Sequence, residues 1–325
     1  MAQNRVLVTG AAGFIGSHLS EALLERGYDV CAIDAFDDFY DRRLKDANLS
    51  ALSPSPHFSF WEADLSSADI EPFLRDVDTV FHMAARAGVR TSWGEGFEPY
   101  VRNNVMGTQR LLEASVRAGV RRVVYASSSS IYGETDEARL PTSEDEPGRP
   151  ISPYGITKLA GEHLLTAYGL ASSLEVVGLR FFTVFGPRQR PDMAFHKFLK
   201  AVLDGRPITI YGDGSQTRDF TFVGDIVAGV LGAGERPAGD VDSKMFNLGG
   251  GHRVTLKQTL DVISDVTGGT LRLDMQERAA GDVTDTAADT SLARSLLGYV
   301  PTTDLKSGLA AQWEWMKEAR AAGLL

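Results

Sequence analysis

Cysteine is the residue type that this sequence has least of, with a single residue, Cys31, among 325. One thiol excludes an internal disulfide and a thiolate metal cluster, and this usage is typical of a reducing, cytoplasmic compartment. The six histidines, His82 among them, show no metal-ligand spacing. We therefore expect no metal site and interpret the histidines as ordinary core or surface residues.

Long apolar runs and an excess of basic residues are also lacking. No window approaches the apolar length of a membrane span. Residues Met1 to Arg5 lead directly into a predicted strand, so we expect neither a signal peptide nor a membrane anchor. Lys and Arg total 33 against 43 Asp and Glu, a net charge of -10. This balance argues against nucleic-acid binding over the whole surface, and an anionic small molecule would need local arginines.

Short runs rich in Val and Ile alternate with amphipathic segments over roughly the first 180 residues, a pattern typical of a parallel sheet with helices on both faces. We expect an α/β fold, a Rossmann-type doubly wound parallel sheet. The predicted strands are Arg5–Gly10, Asp29–Asp34, Phe58–Leu65, Asp78–Ala85, Arg121–Ser127 and Leu174–Phe182. The predicted helices are Gly13–Arg26, Phe97–Ala118 and Pro153–Gly169.

The pattern of predicted elements changes after Phe182. Loop-like segments, short strands such as Ile208–Gly212 and glycine-rich turns follow. We predict a sheet domain over residues 1–182, to which segments near 220–248 return. Residues 183–325 are predicted to form most of a smaller α/β substrate-binding lobe. The stretch at 37–56 is predicted to be the most flexible surface.

A glycine-rich turn joins the first predicted strand to the first helix in "VTGAAGFIG". Gly10, Gly13 and Gly16 permit a tight turn and a close backbone approach to a pyrophosphate. Phe14 and Ile15 open the helix and belong to the same predicted cofactor contact. A simple strand–helix turn is the alternative interpretation, but the residues that end the next strands favour a nucleotide site.

Acidic and small residues end these next strands. Asp34 closes the second strand, where a carboxylate accepts bonds from adenosine ribose hydroxyls and repels a 2'-phosphate, which favours NAD over NADP. Asp64, followed by Leu65, is positioned for an adenine amino group or is a solvated acid at a strand end. A flat cofactor would lie against three small residues, Ala84, Ala85 and Ala87.

Tyr154 and Lys158 lie four residues apart on a predicted helix and therefore on one face. An ammonium beside a phenol stabilises the phenolate, which lowers the tyrosine pKa toward neutrality and makes it a base. Such pairs also occur on helix surfaces without function. The preceding nucleotide motif favours the catalytic interpretation.

Together these motifs resemble the extended short-chain dehydrogenase/reductase family, in particular its nucleotide-sugar epimerases and dehydratases. The resemblance rests on "TGAAGFIG", Asp34, "AARAGVR", "SSSSIYG", "YGITK", "RFFTVFGP" and "TRDFTFVGDI" in family order. It implies that Tyr154 is the base, that Lys158 binds the nicotinamide ribose, and that Ser128 bonds to the substrate hydroxyl and to the tyrosine. The implied chemistry is transient oxidation at sugar C4 by NAD.

Two serines after Ser128 separate the branches of the family. Dehydratases have Asp-Glu at the positions of Ser129 and Ser130, and UDP-glucuronate decarboxylases have Glu at the second. Neutral donors suit a substrate that itself bears a carboxylate, together with Thr183 and Arg190. The resemblance thus favours UDP-glucuronate 4-epimerases, which interconvert UDP-glucuronate and UDP-galacturonate.

Other interpretations of the serine run remain. A UDP-glucuronate decarboxylase, a UDP-glucose/galactose 4-epimerase and a non-catalytic sensor are the alternative functions. Ser129 and Ser130 could also satisfy only backbone groups, which is the role expected for Ser127.

The resemblance also implies substrate anchors and a homodimer. Arg218 corresponds to an arginine that pairs with the UDP diphosphate, the alternative being a salt bridge to Asp219. Arg278 lies one residue before the family's second phosphate arginine, and Asp282 fits its ribose-binding acid. Arg90 either touches the substrate or is structural. In relatives, the helices predicted at 97–118 and 153–169 form the four-helix bundle of a dimer.

Overall fold

A computed structural model describes residues 4–251, 253–277 and 285–325 of the chain. Its main sheet has seven parallel strands. The described strands are β1 (Arg5–Thr9), β2 (Asp29–Asp34), β3 (Phe58–Glu62), β4 (Thr79–His82), β5 (Arg122–Ser128), β6 (Glu175–Phe181), β7 (Thr183–Phe185), β8 (Ile208–Tyr211), β9 (Thr217–Phe222), β10 (Lys244–Leu248), β11 (Arg253–Thr255) and β12 (Leu273–Gln276).

Helices cover both faces of the sheet and build the smaller second part of the molecule. The described helices are α1 (Phe14–Glu25), α2 (Arg42–Ser50), α3 (Phe97–Tyr100), α4 (Gly107–Ala118), α5 (Pro153–Ala171), α6 (Ala194–Leu203), α7 (Val223–Glu235), α8 (Ala238–Val241), α9 (Leu256–Thr267), α10 (Ser291–Leu297) and α11 (Leu305–Ala321). None of the helices within these described ranges is long and apolar enough to span a bilayer.

Alternation along β1 explains the layered core. Val6 and Val8 are buried in the cluster that includes Leu19 of α1 and Val230 of α7, whereas Leu7 is buried in the other cluster with residues of α4 and α5. Successive strand residues point to opposite faces, so each face takes its own layer of helices. The predicted doubly wound α/β fold is confirmed.

The strand order places the site. In the sheet order β10-β6-β5-β4-β1-β2-β3, the direction of winding reverses between β1 and β4. Ligands of open parallel sheets bind outside the carboxyl ends of the strands at such a reversal. At this edge the glycine-rich turn follows β1, Asp34 ends β2, and the serine run begins in the last residues of β5.

Two predicted elements differ from the observed ones. Residues 37–56 contain α2, which Asp41 caps by accepting a hydrogen bond from the Arg43 amide at 2.9 Å and which buries Leu44 and Leu49, so the prediction of a flexible surface is wrong there. Residues 97–118 form α3, a π turn at Val101–Met106 and α4 rather than one regular helix. Helix α2 was not predicted because residues 37–56 are mostly polar. The π turn was not predicted because helical spacing alone does not distinguish it from a regular helix.

The second half of the chain has its own core. Strands β7, β9 and β11 form one small sheet, and β8 pairs with β12. Phe185, Phe195, Ile210 and Met316 are buried together there. The chain returns to the main sheet, because β10 pairs in parallel with β6. The division at residue 182 stays a prediction.

Candidate active site

A cavity opens where the carboxyl ends of β1, β2, β4 and β5 meet. It brings together residues predicted from several separate motifs. The predicted residues that line it are Gly10, Gly13, Phe14, Ile15, Gly16, Asp34, Asp64, Leu65, Ala84, Ala85, Ala87, Tyr154, Lys158 and Arg190. Their convergence is what the order of parallel strands predicts.

The glycine turn needs its glycines for close packing. Gly10 has φ +71°, and a Cβ on it would lie 2.8 Å from the Ala84 Cα. A Cβ on Gly16 would lie 2.1 Å from the Gly10 carbonyl oxygen. Helix α1 then starts at the cavity, with no side-chain cap on Gly13 and no acidic residue in its first turn. Free N–H groups and the helix dipole suit a pyrophosphate, so the residues present fit a dinucleotide.

Asp34 lines the predicted cofactor site and binds the backbone around it. Its carboxylate accepts hydrogen bonds from the Ala12 amide at 3.1 Å and the Phe36 amide at 2.8 Å. Burial raises the pKa of Asp34, and the nearby Lys45 ammonium, 3.7 Å away, opposes that rise. Sequence reasoning missed Lys45, which lies on α2 and is buried. The pairing of an acid with a buried lysine is not visible from residue spacing.

The small residues after β4 are fixed by a buried hydrogen-bonded chain. The Thr9 hydroxyl accepts from the Ala84 amide at 3.2 Å and lies 2.7 Å from His82 Nδ1. His82 Nε2 lies 2.9 Å from the Thr108 hydroxyl. Burial, aided by the charge of Lys158, lowers the pKa of His82 to about 3. His82 is therefore a neutral core residue that ties β1 and β4 to α4.

Tyr154 stands at the start of α5, where Ser152 caps the helix and Pro153 occupies its first turn. The Tyr154 amide donates to the Ser92 hydroxyl at 3.2 Å. Burial raises the pKa of Tyr154, opposed by a hydrogen bond with Ser128 and by the charge of Arg190. The direction predicted for this pKa is wrong for the chain alone, since desolvation outweighs the nearby groups.

Lys158 follows one turn later and is 3% exposed. Its ammonium lies over the Tyr125 ring, 4.7 Å from the centroid. Burial lowers the pKa of Lys158 to about 7, and the carboxylate of Glu162 opposes that change. Because Lys158 is then about half protonated at neutral pH, a new charge beside it changes its protonation strongly.

The serine run divides into separate environments. Ser127 donates to Glu162 Oε1 at 2.5 Å, so the expected bond to the backbone is wrong. The Ser128 hydroxyl accepts from the Ser130 amide at 3.2 Å. Ser129 and Ser130 are half-buried, and neither hydroxyl has a hydrogen-bond partner among the described residues.

Thr183 lies beside this run because Ser128 of β5 is the register partner of Phe181 in β6. Thr183 is half-buried, and its hydroxyl likewise has no partner within the part of the chain that the structure describes. Thr183, Ser129 and Ser130 therefore present unused donors at the ends of adjacent strands. Capping of the backbone does not explain these side chains.

Arg190 is one of the basic residues that line the cavity. Its guanidinium forms a bidentate ion pair with Asp192, with both N···O distances at 2.9 Å. The side chain is 22% exposed, and its positive charge opposes the rise in the pKa of Tyr154. The predicted arginine is thus near the predicted base, although a carboxylate already contacts it.

The other predicted anchors lie outside the cavity lining, as do Ser128, Ser129, Ser130 and Thr183. Arg90 stacks on the Tyr211 ring, 4.6 Å from its centroid. Arg218 donates to the Thr217 carbonyl at 2.8 Å. Asp219 accepts from two backbone amides, those of Gly250 and Ala288. Arg278 and Asp282 lie outside the described residues.

Several lining residues were missed because they come from the stretch at 37–56 and from positions next to the motifs. Arg86 forms ion pairs with Asp37 and Asp38 and lies over the Phe39 ring, 4.8 Å from its centroid. The other missed residues are Thr9, Ile33, Ala35, Tyr40, Lys45, Ala63, Ser66, Met83, Asn103, Ala126, Ser127 and Phe181. The signal present in the sequence was the arginine within "AARAG".

Comparisons with known proteins agree with this geometry. An uncharacterised UDP-glucose epimerase of Bacillus subtilis is 44% identical over 306 residues, covering 94% of this chain and 95% of the relative. UDP-glucuronate 4-epimerase 1 of Arabidopsis thaliana is 41% identical, covering 95% of this chain and 76% of the relative.

A solved structure is equally similar. The crystal structure of UDP-glucuronic acid 4-epimerase from Bacillus cereus, in complex with UDP-glucuronic acid and NAD, superposes with a TM-score of 0.93 at 42% identity, covering 97% of this chain and 99% of that one. The model of the NAD dependent epimerase/dehydratase family matches residues 6–249. The chain belongs to the NAD dependent epimerase/dehydratase family.

Proposed function

We propose that the protein is an NAD-dependent UDP-glucuronate 4-epimerase. The observation that carries the proposal is the set of unused hydroxyls of Ser129, Ser130 and Thr183, at strand ends next to Ser128 and Tyr154. Neutral donors of this kind bind a substrate carboxylate without repelling it. Support comes from relatives named as UDP-glucuronate 4-epimerases that cover almost the whole chain.

Residues that line the cavity would hold the cofactor. The amides at the start of α1 would hold its pyrophosphate, Asp34 its adenosine ribose, and Lys158 its nicotinamide ribose. Bound NAD supplies the acceptance of a hydride from sugar C4 and its return to either face of the resulting ketone. The chain itself orients the sugar and moves the hydroxyl proton.

Tyr154 is the proposed proton acceptor for the C4 hydroxyl. Ser128 hydrogen-bonds to it, and the positive charge of Arg190 favours its phenolate. Because the pKa of Lys158 is about 7, formation of a phenolate nearby favours the ammonium form of Lys158, and the two charges stabilise each other. We infer that this coupling acts against the desolvation that raises the pKa of Tyr154.

The carboxylate donors also protect the intermediate. A 4-keto uronate is a β-keto acid, which loses CO2 when its C5–C6 bond stands perpendicular to the carbonyl plane. Hydroxyls that fix the carboxylate in another orientation hold that bond away from the reactive angle and stabilise the negative charge. The ketone then turns over within the site and is reduced from its other face.

A second candidate is a UDP-glucose 4-epimerase, since the Bacillus subtilis relative is named as an uncharacterised UDP-glucose epimerase. One experiment separates the candidates: the purified protein is incubated with UDP-glucuronate and, in parallel, with UDP-glucose, without added cofactor, and the sugar nucleotides are identified. We expect UDP-galacturonate from the acid at a rate at least about tenfold above turnover of the neutral sugar. Turnover of UDP-glucose alone would contradict the proposal.

Anchoring of the UDP group is part of the same proposal. Arg218 and Arg90 lie on β9 and on the turn Arg90–Ser92, and we assign them to the diphosphate side of the substrate. Arg278 and Asp282 are proposed to bind phosphate and ribose, as the family resemblance implies.

A homodimer through α4 and α5 is also proposed. Exposed apolar residues support it, since Ile156 is 52% and Leu170 is 82% exposed. They lie 14 residues apart on α5, close to four turns, and so share one face. A cytoplasmic location stays a prediction from composition.

A further inference from the structure

A buried ion pair lies beneath the serine turn, which is defined here as Ser127–Tyr132. Glu162 of α5 and Arg180 of β6 have side chains that are 5% and 9% exposed. Glu162 accepts from Arg180 Nε at 3.0 Å and from Arg180 Nη2 at 2.9 Å. Buried charges are retained in a fold when they are paired and hydrogen-bonded in this manner.

Both ends of the serine turn are bonded to this pair. Ser127 donates to Glu162 at 2.5 Å, and Arg180 Nη1 donates to the Tyr132 hydroxyl at 2.8 Å. That hydroxyl donates in turn to Asn247 Oδ1 at 2.7 Å. Burial raises the pKa of Tyr132 to about 12, which keeps the phenol protonated. Ser129 and Ser130, whose hydroxyls have no partner among the described residues, lie between these two anchors.

We propose that Glu162, Arg180 and Tyr132 are positioning residues which hold the serine turn in the orientation that keeps the substrate carboxylate on the intermediate. The inference rests on the proposed function and deepens it, because it assigns control of the product to a buried network beneath the serine turn. The same ion pair fastens α5, which carries Tyr154 and Lys158, to β6. The ion pair therefore fixes the base Tyr154 and the proposed carboxylate site relative to each other.

The competing reaction that these positioning residues would suppress is decarboxylation of the 4-keto uronate. When the C5–C6 bond of the 4-keto uronate breaks, its electron pair moves to C5 and onto the C4 oxygen as an enolate, and CO2 leaves. A proton from water then adds to C5 and gives a UDP-4-ketopentose. A loosened serine turn allows the carboxylate to reach the reactive angle more often, so the fraction of CO2 per epimerised product rises.

Tyr132→Phe is the sharpest test, because it removes one hydroxyl and keeps the ring, which packs 6.4 Å from Phe182. With UDP-glucuronate labelled at C6, released CO2 and UDP-galacturonate are counted in the same reaction. We expect the ratio of CO2 to epimer to rise about tenfold. Tyr299→Phe is the matched control: this buried hydroxyl donates to the Gly249 carbonyl at 2.8 Å, and its removal leaves the ratio unchanged.

A product ratio does not depend on how much of the enzyme is folded, so a merely structural role does not move it. Ser127→Ala releases the other end of the turn, and a smaller rise in the same ratio is expected. Lower rates with wild-type ratios in both variants would overturn the positioning role while leaving the proposed function intact. If the wild-type protein fails to epimerise UDP-glucuronate, the proposed function itself is overturned.

Discussion

Replacing Lys158 with methionine removes a buried amine and keeps a side chain of similar length. The folded pKa of about 7 lies below the ordinary 10.5, so between these values the unfolded chain binds more protons and stability rises with pH. Relative to Lys158→Met, the wild-type free energy of unfolding should therefore rise by roughly 2 kcal/mol from pH 7 to pH 9. Urea unfolding of both proteins at both pH values measures this difference.

The same variant should be more stable than wild type at pH 7 by about 1 kcal/mol and should lose epimerisation by at least about 100-fold. Lys306→Met is the control, since Lys306 is 64% exposed and paired with Asp265 on the surface. It should change neither the pH dependence nor the activity. A stability difference that stays constant with pH would show that Lys158 is not desolvated.

What single residues reveal from sequence is their chemical type and spacing. Tyr154 and Lys158 were recognisable as a pair four apart, and Asp34 as an acid at a strand end. The direction of the Tyr154 pKa was not, because desolvation depends on what packs around the ring, including Arg190, which lies 36 residues further along the chain. The unused hydroxyls of Ser129 and Ser130 required the contacts of the fold.

At the scale of elements, α5 lies close to β5 and the serine turn because its glycines have no side chains. A Cβ on Gly155 would lie 2.5 Å from the Ser130 carbonyl oxygen, and one on Gly161 2.1 Å from the Tyr125 hydroxyl oxygen. The sequence predicted this helix at 153–169, and it is observed as Pro153–Ala171. The close packing of α5 against the sheet was not predictable, since helix propensities say only that these glycines destabilise a helix.

Gly155→Ala should push the start of α5 away from the serine turn and misplace Tyr154. We expect kcat to fall on the order of 100-fold, measured as UDP-galacturonate formed per folded enzyme. Gly169→Ala is the matched control near the other end of α5, where the added Cβ meets the Val176 side chain at 2.6 Å. That variant should lose stability and keep its kcat. Equal kcat losses in both variants would contradict a specific role for the close approach at Gly155.

At the scale of the whole molecule, the family motifs predicted the sheet and the position of the cavity. The return of segments near 220–248 to this domain was also predicted, but the strand that β10 pairs with was not, because β10 and β6 are far apart in sequence. The bond from Tyr132 to Asn247 also joins segments far apart in sequence. Local patterns specify elements, whereas such contacts depend on the packing of all of them.

The proposed dimer is tested by a charge on the exposed face of α5. Ile156→Glu places a carboxylate where an apolar contact would be buried, and burying an unpaired charge is strongly unfavourable. Light scattering should give twice the 35.2 kDa chain mass for wild type and the single-chain mass for the variant. Val300→Glu, at an apolar position that is 63% exposed, should remain dimeric. Ile156 lies two residues after Tyr154, about 200° around the helix, so the added charge points away from the site. A wild-type protein that is monomeric in light scattering would exclude the dimer.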